Sequence, residues 1–411
     1  SGLAASYSVS NVGGTISVVG ADGHDTLTDI QFLQFDDQTI AAPAAAGASS
    51  FSVEATDAVK FEGNDPNNPV AFTFTITRSG DLSQTQVVSG GVAGSGANPA
   101  APADFSGSHT SGTVTFAPGD VTQVVSVEIQ GDSVVEPDEG FTLTLTGVTG
   151  GGTLGTASAS GIILNDDAGY AIAAADADKA EGNSGSTPFT FTVTRSGYTG
   201  AASTVGWSAT GLSPNSANAA DFAGGVVPGG TLSFAAGQTS QTITVNIQGD
   251  TSVEPDEHFR VVLSGASAGS SIITATADAT VLNDDTSLAV VSTTGSRPEG
   301  NSGATPFIFT ITRSGVLTGA STVQWATIGA LPASVGPNDF VGGVVPSGTL
   351  SFAAGQASQT ITVNIQGDAV LEPDEYFAVS LSHATGASIA TASAVAKVVN
   401  DDTSCAIAAT D

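Results

Sequence analysis

The stretch Thr242-Ile-Thr-Val-Asn-Ile-Gln-Gly-Asp-Thr-Ser-Val-Glu-Pro-Asp-Glu-His-Phe-Arg-Val-Val-Leu263 holds two kinds of pattern. Ile243, Val245 and Ile247 alternate with polar residues, and Phe259, Val261 and Leu263 share one face of a second run. Period-two alternation is what a half-buried strand requires. Between the runs lies a turn built on Gly249 and Pro255 that carries Asp250, Glu254, Asp256 and Glu257. Outward from it, Thr231-Leu-Ser-Phe234 and Phe189-Thr-Phe-Thr-Val-Thr-Arg195 alternate in the same way, separated by Arg-Ser-Gly (195–197) and Ala-Ala-Gly-Gln (235–238) turns. About seven strands are expected, with no helical periodicity of useful length. That pattern predicts an all-β fold, an antiparallel β-sandwich with immunoglobulin-like topology.

The stretch recurs. Gly-Asp-x-x-x-Glu-Pro-Asp-Glu begins at 131, 249 and 367; Glu-Gly-Asn at 62, 181 and 299; Arg-Ser-Gly at 78, 195 and 313; Asn-Asp-Asp at 165, 283 and 400. The spacing is a domain length, so the chain is expected to be a tandem, elongated array. The expected divisions are a β segment with an Ala-rich linker (1–47), repeats at 48–167, 168–285 and 286–402, and the start of a fourth copy at 403–411. Repeats two and three are nearly identical over 223–250 and 341–368, while repeat one has diverged. Trp207 and Trp325 occupy the strand after Arg-Ser-Gly, as core aromatics between the sheets, and repeat one has no Trp there.

Composition narrows the function. The 411 residues include 8 Lys+Arg against 39 Asp+Glu, a formal net charge of −31. Nucleic acid and anionic membranes need a basic surface and are excluded as partners. With 40% apolar and only 11% charged residues, the chain is no acidic disordered tail. No apolar run reaches the roughly 18 residues of a transmembrane segment. A single Cys, Cys405, permits no intrachain disulfide, and a buried thiol is its expected state. The absence of Met and of a secretory signal leads us to expect a piece of a longer chain.

Seven acids per repeat survive the divergence of repeat one. They are Glu62, Asp104, Asp132, Glu136, Glu139, Asp166 and Asp167; then Glu181, Asp221, Asp250, Glu254, Glu257, Asp284 and Asp285; then Glu299, Asp339, Asp368, Glu372, Glu375, Asp401 and Asp402. All sit at turns or domain ends, which an antiparallel sandwich can gather at one pole. Carboxylates so gathered repel one another and rise in pKa unless a cation joins them. Ca²⁺, with 6–8 oxygen ligands and tolerant geometry, suits such loops better than Mg²⁺. Zinc prefers Cys and His, and His109, His258 and His383 are not equivalent in the repeats. Asp138, Asp256 and Asp374, beside Pro in the same motif, fit either a ligand or a turn-forming role.

Four features together resemble the Calx-β domain: Glu-Gly early, Asp-Phe in the middle, Asp-x-x-x-Glu-x-x-Glu-x-Phe before a strand, and terminal Asn-Asp-Asp. The resemblance covers residues 48–402. It implies a seven-stranded sandwich that binds Ca²⁺ at one tip, beside the following domain, with the 21 acids above at the ligand positions. Other members carry three terminal Asp where this chain has two. Separately, Gly20-Ala-Asp-Gly-His-Asp-Thr-Leu27 and the residues after it resemble the short β unit of bacterial RTX-type secreted proteins, with Asp22 and Asp25 near its turn.

These readings imply a non-catalytic, Ca²⁺-rigidified stalk, adhesin or filament segment of a bacterial extracellular surface protein, exported by type I secretion. Its partners are calcium ions, neighbouring repeats and copies of itself in a fibre or sheath. Two alternatives stay open: a ligand- or glycan-binding adhesive module using loops 81–103, 198–220 and 316–338, and a spacer of a secreted RTX-type enzyme. No Ser-His-Asp, Cys-His or nucleotide-loop constellation recurs.

Overall fold

The structure, a computed structural model, describes residues 7–12, 15–20, 23–28, 32–35, 39–41, 48–107 and 111–404. Asp22, His109 and Cys405–Asp411 lie outside the described residues, and with them the expected RTX turn residue, the thiol and the fourth copy. Ser8–Val12, Thr15–Gly20 and Gly23–Thr28 form a three-stranded antiparallel sheet that includes Asp25.

Each repeat is a sandwich of a four-stranded and a five-stranded sheet. In repeat two the smaller sheet runs Ser240–Gln248, Ser186–Gly197, Ala168–Asp176, Ser270–Thr274. The larger runs Asp178–Ala180, Thr276–Leu282, Glu257–Ser264, Ser203–Gly211, Gly229–Phe234. Nine strands therefore replace the seven expected, although the chain makes only seven passes. The first pass breaks at buried Ala177 and the last at Ala275, and each changes sheet there. Ser270–Thr274 joins Ala168–Asp176 in parallel, and Asp178–Ala180 joins Thr276–Leu282 in parallel. The remaining strand pairings of repeat two are antiparallel. Among the described residues, the helical elements are three 3-10 turns, Pro102–Asp104, Ala219–Asp221 and Pro337–Asp339.

Alternation sets the core. In Ser240–Gln248, Ile243, Val245 and Ile247 are buried, and the residues between them are exposed. Beneath the acidic pole the motif's own phenylalanines stack. Phe222 of Ala-Asp-Phe meets Phe259 of Glu-x-Phe edge-on at 5.5 Å, and Phe189 and Phe191 pack on Phe259 at 5.7 and 5.9 Å. Phe105 with Phe141, and Phe340 with Phe377, repeat the contact. Such pairs contribute about 0.5–1.5 kcal/mol beyond area burial. They anchor the backbone that carries the adjacent Asp221 and the nearby Glu257 on the rim above. Trp207 and Trp325 lie between the sheets, partly buried against the core, as expected.

The opposite pole is closed by a buried cation. Arg195 is 3% exposed, stacks 5.7 Å over Phe234 and donates to the carbonyls of Thr199, Ala201 and Ala235 and to Ser203 Oγ. Arg78 and Arg313 do the same on Phe51 and Phe352. Carbonyl dipoles, rather than a carboxylate, offset burial of the charge. Arg-Ser-Gly is thus more than a turn signal.

Phe222→Ala should destabilise repeat two by about 3–5 kcal/mol, read as a lower denaturant midpoint for its transition. A shift under about 1 kcal/mol would show that the ring does not anchor the pole.

Candidate metal centre

Four loop elements converge at one pole of each repeat. The 3-10 turn presents Asp104, Asp221 or Asp339, whose Oδ2 accepts the backbone N–H of Ala101, Asn218 or Gly336 at 2.5–2.6 Å. That bond holds the carboxylate beside the Gly-Asp-x-x-x-Glu-Pro-Asp-Glu loop. Oxygens of Asp104, Glu136 and Glu139 lie within 4.8 Å of one another, as do those of Asp221, Glu254 and Glu257 and of Asp339, Glu372 and Glu375. A second group sits alongside: Glu62 with Asp166 and Asp167, and Glu181 with Asp250 and Asp285. In repeat three Glu299 feels the charges of Glu372, Asp368, Asp402 and Asp401 in the same arrangement. Each set of seven sequence-predicted acids is therefore brought to one place.

Close approach of backbones allows this. A Cβ on Gly131, Gly249 or Gly367 would stand 2.1–2.2 Å from the carbonyl of Gly63, Gly182 or Gly300. Only glycine lets the Asp loop lie against the Glu-Gly-Asn segment. The N–H groups of Gly63, Gly182 and Gly300 donate to Asp166, Asp284 and Asp401.

Six asparagines named only as motif letters, two in each repeat, organise the site. Asn165 accepts from the Glu136 N–H, donates from its own N–H to Asp138 Oδ1, and donates from Nδ2 to the Asp167 carbonyl. Asn283 and Asn400 repeat all three bonds. Asp138, Asp256 and Asp374 thereby face the loop backbone, and Asp374 also pairs with Lys397 at 2.6 Å. Asn64 Nδ2 reaches Asp166, Asn183 reaches Asp284 and Asp285, and Asn301 reaches Asp402. Their recurrence in all three copies was the available signal. Carboxamides carry no charge to repel, so the charge argument passed over them.

The electrostatics are those of a site short of positive charge. Glu62 is 4% exposed; burial first, then Asp132, Glu136, Asp167 and Asp166, push it up to about 8. Burial and the neighbouring acids push Asp167, Glu181 and Glu299 to about 7. Glu136, Glu254, Glu372 and Asp285 are raised for the same reasons. Glu139, Glu257 and Glu375 are raised by burial and by contact with Asp104, Asp221 and Asp339. Both carboxylate oxygens of Asp167, which is fully buried, lack a hydrogen-bond partner, as does Oδ2 of buried Asp285 and Asp402. A buried anionic oxygen without a donor is costly. An oxygen-only donor set with orphaned buried atoms fits a hard divalent cation of the Ca²⁺ type.

The same terminal Asp touches the next repeat. The Asp167 carbonyl accepts the Tyr198 N–H, and the Asp285 carbonyl accepts the Val316 N–H, both at 2.8 Å. Gly197 and Gly315, at φ +73° and +85°, leave that carbonyl room, since a Cβ would lie 2.4 or 2.2 Å from it. Val135 and Val253 of the acidic loop pack on the same two glycines. Phe61 stacks edge-on against Tyr198 at 5.3 Å.

Residues 48–168, 177–287 and 283–403 each match the Calx-beta domain family. The chain is 26% identical over 283 residues to adhesion G-protein coupled receptor V1 of Danio rerio, covering 67% of this chain and 4% of that protein. It therefore spans a small fraction of that relative's length. Similar solved structures include CBD12 from CALX1.2, 20% identical over 53% of this chain and 82% of that one, TM-score 0.27. Calcium binding domain CBD12 of CALX1.1 is 19% identical over 52% and 80%, TM-score 0.27. The apo-form Calx CBD1 domain is 22% identical over 28% and 98%, TM-score 0.25.

With chelator present, stability should fall as pH rises from about 4 to about 8. The raised acids hold protons in the folded state that the unfolded chain, with carboxyl pKa values near 4, has already released. Melting temperatures between pH 4.5 and 8.5 test this; a rise over that window would contradict the carboxylate crowding.

Proposed function

Because the chain belongs to the Calx-beta family, we propose that its three repeats bind Ca²⁺ at the acidic poles and that the ions stiffen the joints of an extracellular, non-catalytic stalk. The two orphaned oxygens of buried Asp167, matched by the orphaned Oδ2 of Asp285 and of Asp402, carry the reading. Glu62, Asp132, Asp166 and Asp167 would hold cations on the side facing the next repeat, and Asp104, Glu136 and Glu139 on the outer side. The corresponding acids would serve in repeats two and three. The cation supplies positive charge and oxygen affinity; the protein supplies a preset ring of carboxylates.

Stiffening follows from the double duty of the terminal Asp. Its side chain belongs to the cluster, and its carbonyl to the bond with Tyr198 or Val316. Fixing the one fixes the other, together with Val135 or Val253 on the glycine beyond. The relative named as an adhesion receptor supports an extracellular setting, where abundant Ca²⁺ keeps even sites of about 10⁻⁴–10⁻³ M filled. A stalk holding a binding part away from a surface needs this stiffness.

Thermal melts of the full chain in millimolar Ca²⁺, Mg²⁺ or chelator, with small-angle scattering, test the proposal. Ca²⁺ at about 100 times Kd should add about 2.7 kcal/mol per site, more than Mg²⁺ does, and lengthen the particle. Asp285→Asn should remove the gain in repeat two alone. Equal melts and an unchanged shape would overturn it.

A further inference from the structure

The strand after Arg-Ser-Gly keeps one register in all three repeats. Trp207 lies opposite Leu263 on one neighbour and Gly230 on the other, and Trp325 lies opposite Leu381 and Gly348. In repeat one the residue opposite Leu145 and Gly112 is Gly90. The inward indole of repeats two and three is therefore missing from repeat one.

The sheets do not close over the gap. In repeats two and three the indole Nε1 stands 3.2 and 3.1 Å from the point where a Cβ on Gly230 or Gly348 would be. At Gly112 no described residue lies within 4 Å of that point. A cleft of about 230 Å³ opens there, lined by Gly90 and Gly112 together with Ile76, Val88, Val114 and Leu145. The edge-on ring pairs Phe51–Phe116 and Phe72–Phe141 span the two sheets of this repeat. A folded scaffold relaxes only partly around deleted side-chain volume. An apolar cavity of about 150 Å³ is enough to take benzene.

We propose that this cleft in repeat one is a binding site for a neutral planar aromatic group of indole size. The equivalent space in two sister repeats is filled by an indole, which sets the shape of the group that fits. None of the described residues lining the cleft is ionisable, although the molecule carries a net charge of −31. A charged ligand would lose hydration there with no counter-charge to offset it. Ser111 is among the lining residues, and its hydroxyl can accept a hydrogen bond from a ring N–H. The site is independent of the carboxylate poles.

The test is isothermal titration of the full chain in Ca²⁺ buffer with free indole and with N-acetyl-tryptophanamide. Wild type should bind one indole per chain, and Gly90→Trp, which supplies the ring from within, should weaken it at least tenfold. A Cβ at Gly90 would meet the Thr144 carbonyl at 2.9 Å, so Val114→Phe serves as a second filling variant that avoids this contact. Binding of both probes assigns the site to a Trp side chain on a partner peptide, and binding of indole alone assigns it to a free small molecule. No binding up to the solubility of indole, or equal binding by a folded filled variant, would overturn the proposal.

Discussion

Repulsion among carboxylates held at one pole is the constraint around which each repeat is built. Seven acids share a space that brings several oxygens within 4.8 Å of one another, and burial removes much of the water that would screen them. The chain meets the cost in layers. Phenylalanine rings under the rim hold the loops down, glycines admit the close backbone contacts, and asparagines tie loop to loop without adding charge. What the protein alone leaves unsolved is the set of buried oxygens on Asp167, Asp285 and Asp402 that no donor reaches.

That remainder sits where repeats meet. A residue whose carboxylate faces one domain and whose carbonyl is bonded to the next makes local charge a property of the joint. The two joints are built alike but not identically. Tyr198 adds a ring against Phe61 at the first, where Val316 stands at the second. On the proposed reading, cation binding at either pole restrains the domain that follows, and the diverged first repeat has gained an apolar clasp besides.

Much of this was legible in the residues. Period-two alternation gave the strands, because Ile243, Val245 and Ile247 could face only one way. The threefold spacing gave the domains, and retention of the same acids in the diverged repeat gave the pole. The split of first and last strands was hidden, since Ala177 and Ala275 look ordinary and the change of sheet depends on tertiary pairing. Asn165 and its equivalents were hidden because a neutral side chain gives no charge signal. At Asp138, read as either ligand or turn former, Oδ1 accepts the Asn165 N–H, a bond that depends on two loops meeting. The missing Trp of repeat one was visible, but a cleft rather than a collapsed core depends on tertiary packing.

The most direct measurement is a crystal structure grown in millimolar Ca²⁺ with anomalous data collected at long wavelength. Calcium as the missing partner predicts anomalous peaks at every acidic pole, each within about 2.3–2.6 Å of carboxylate oxygens, with Asp167, Asp285 and Asp402 among the ligands. Poles without peaks, with both Asp167 oxygens and Oδ2 of Asp285 and Asp402 still unpartnered or bonded to other protein groups, would contradict it.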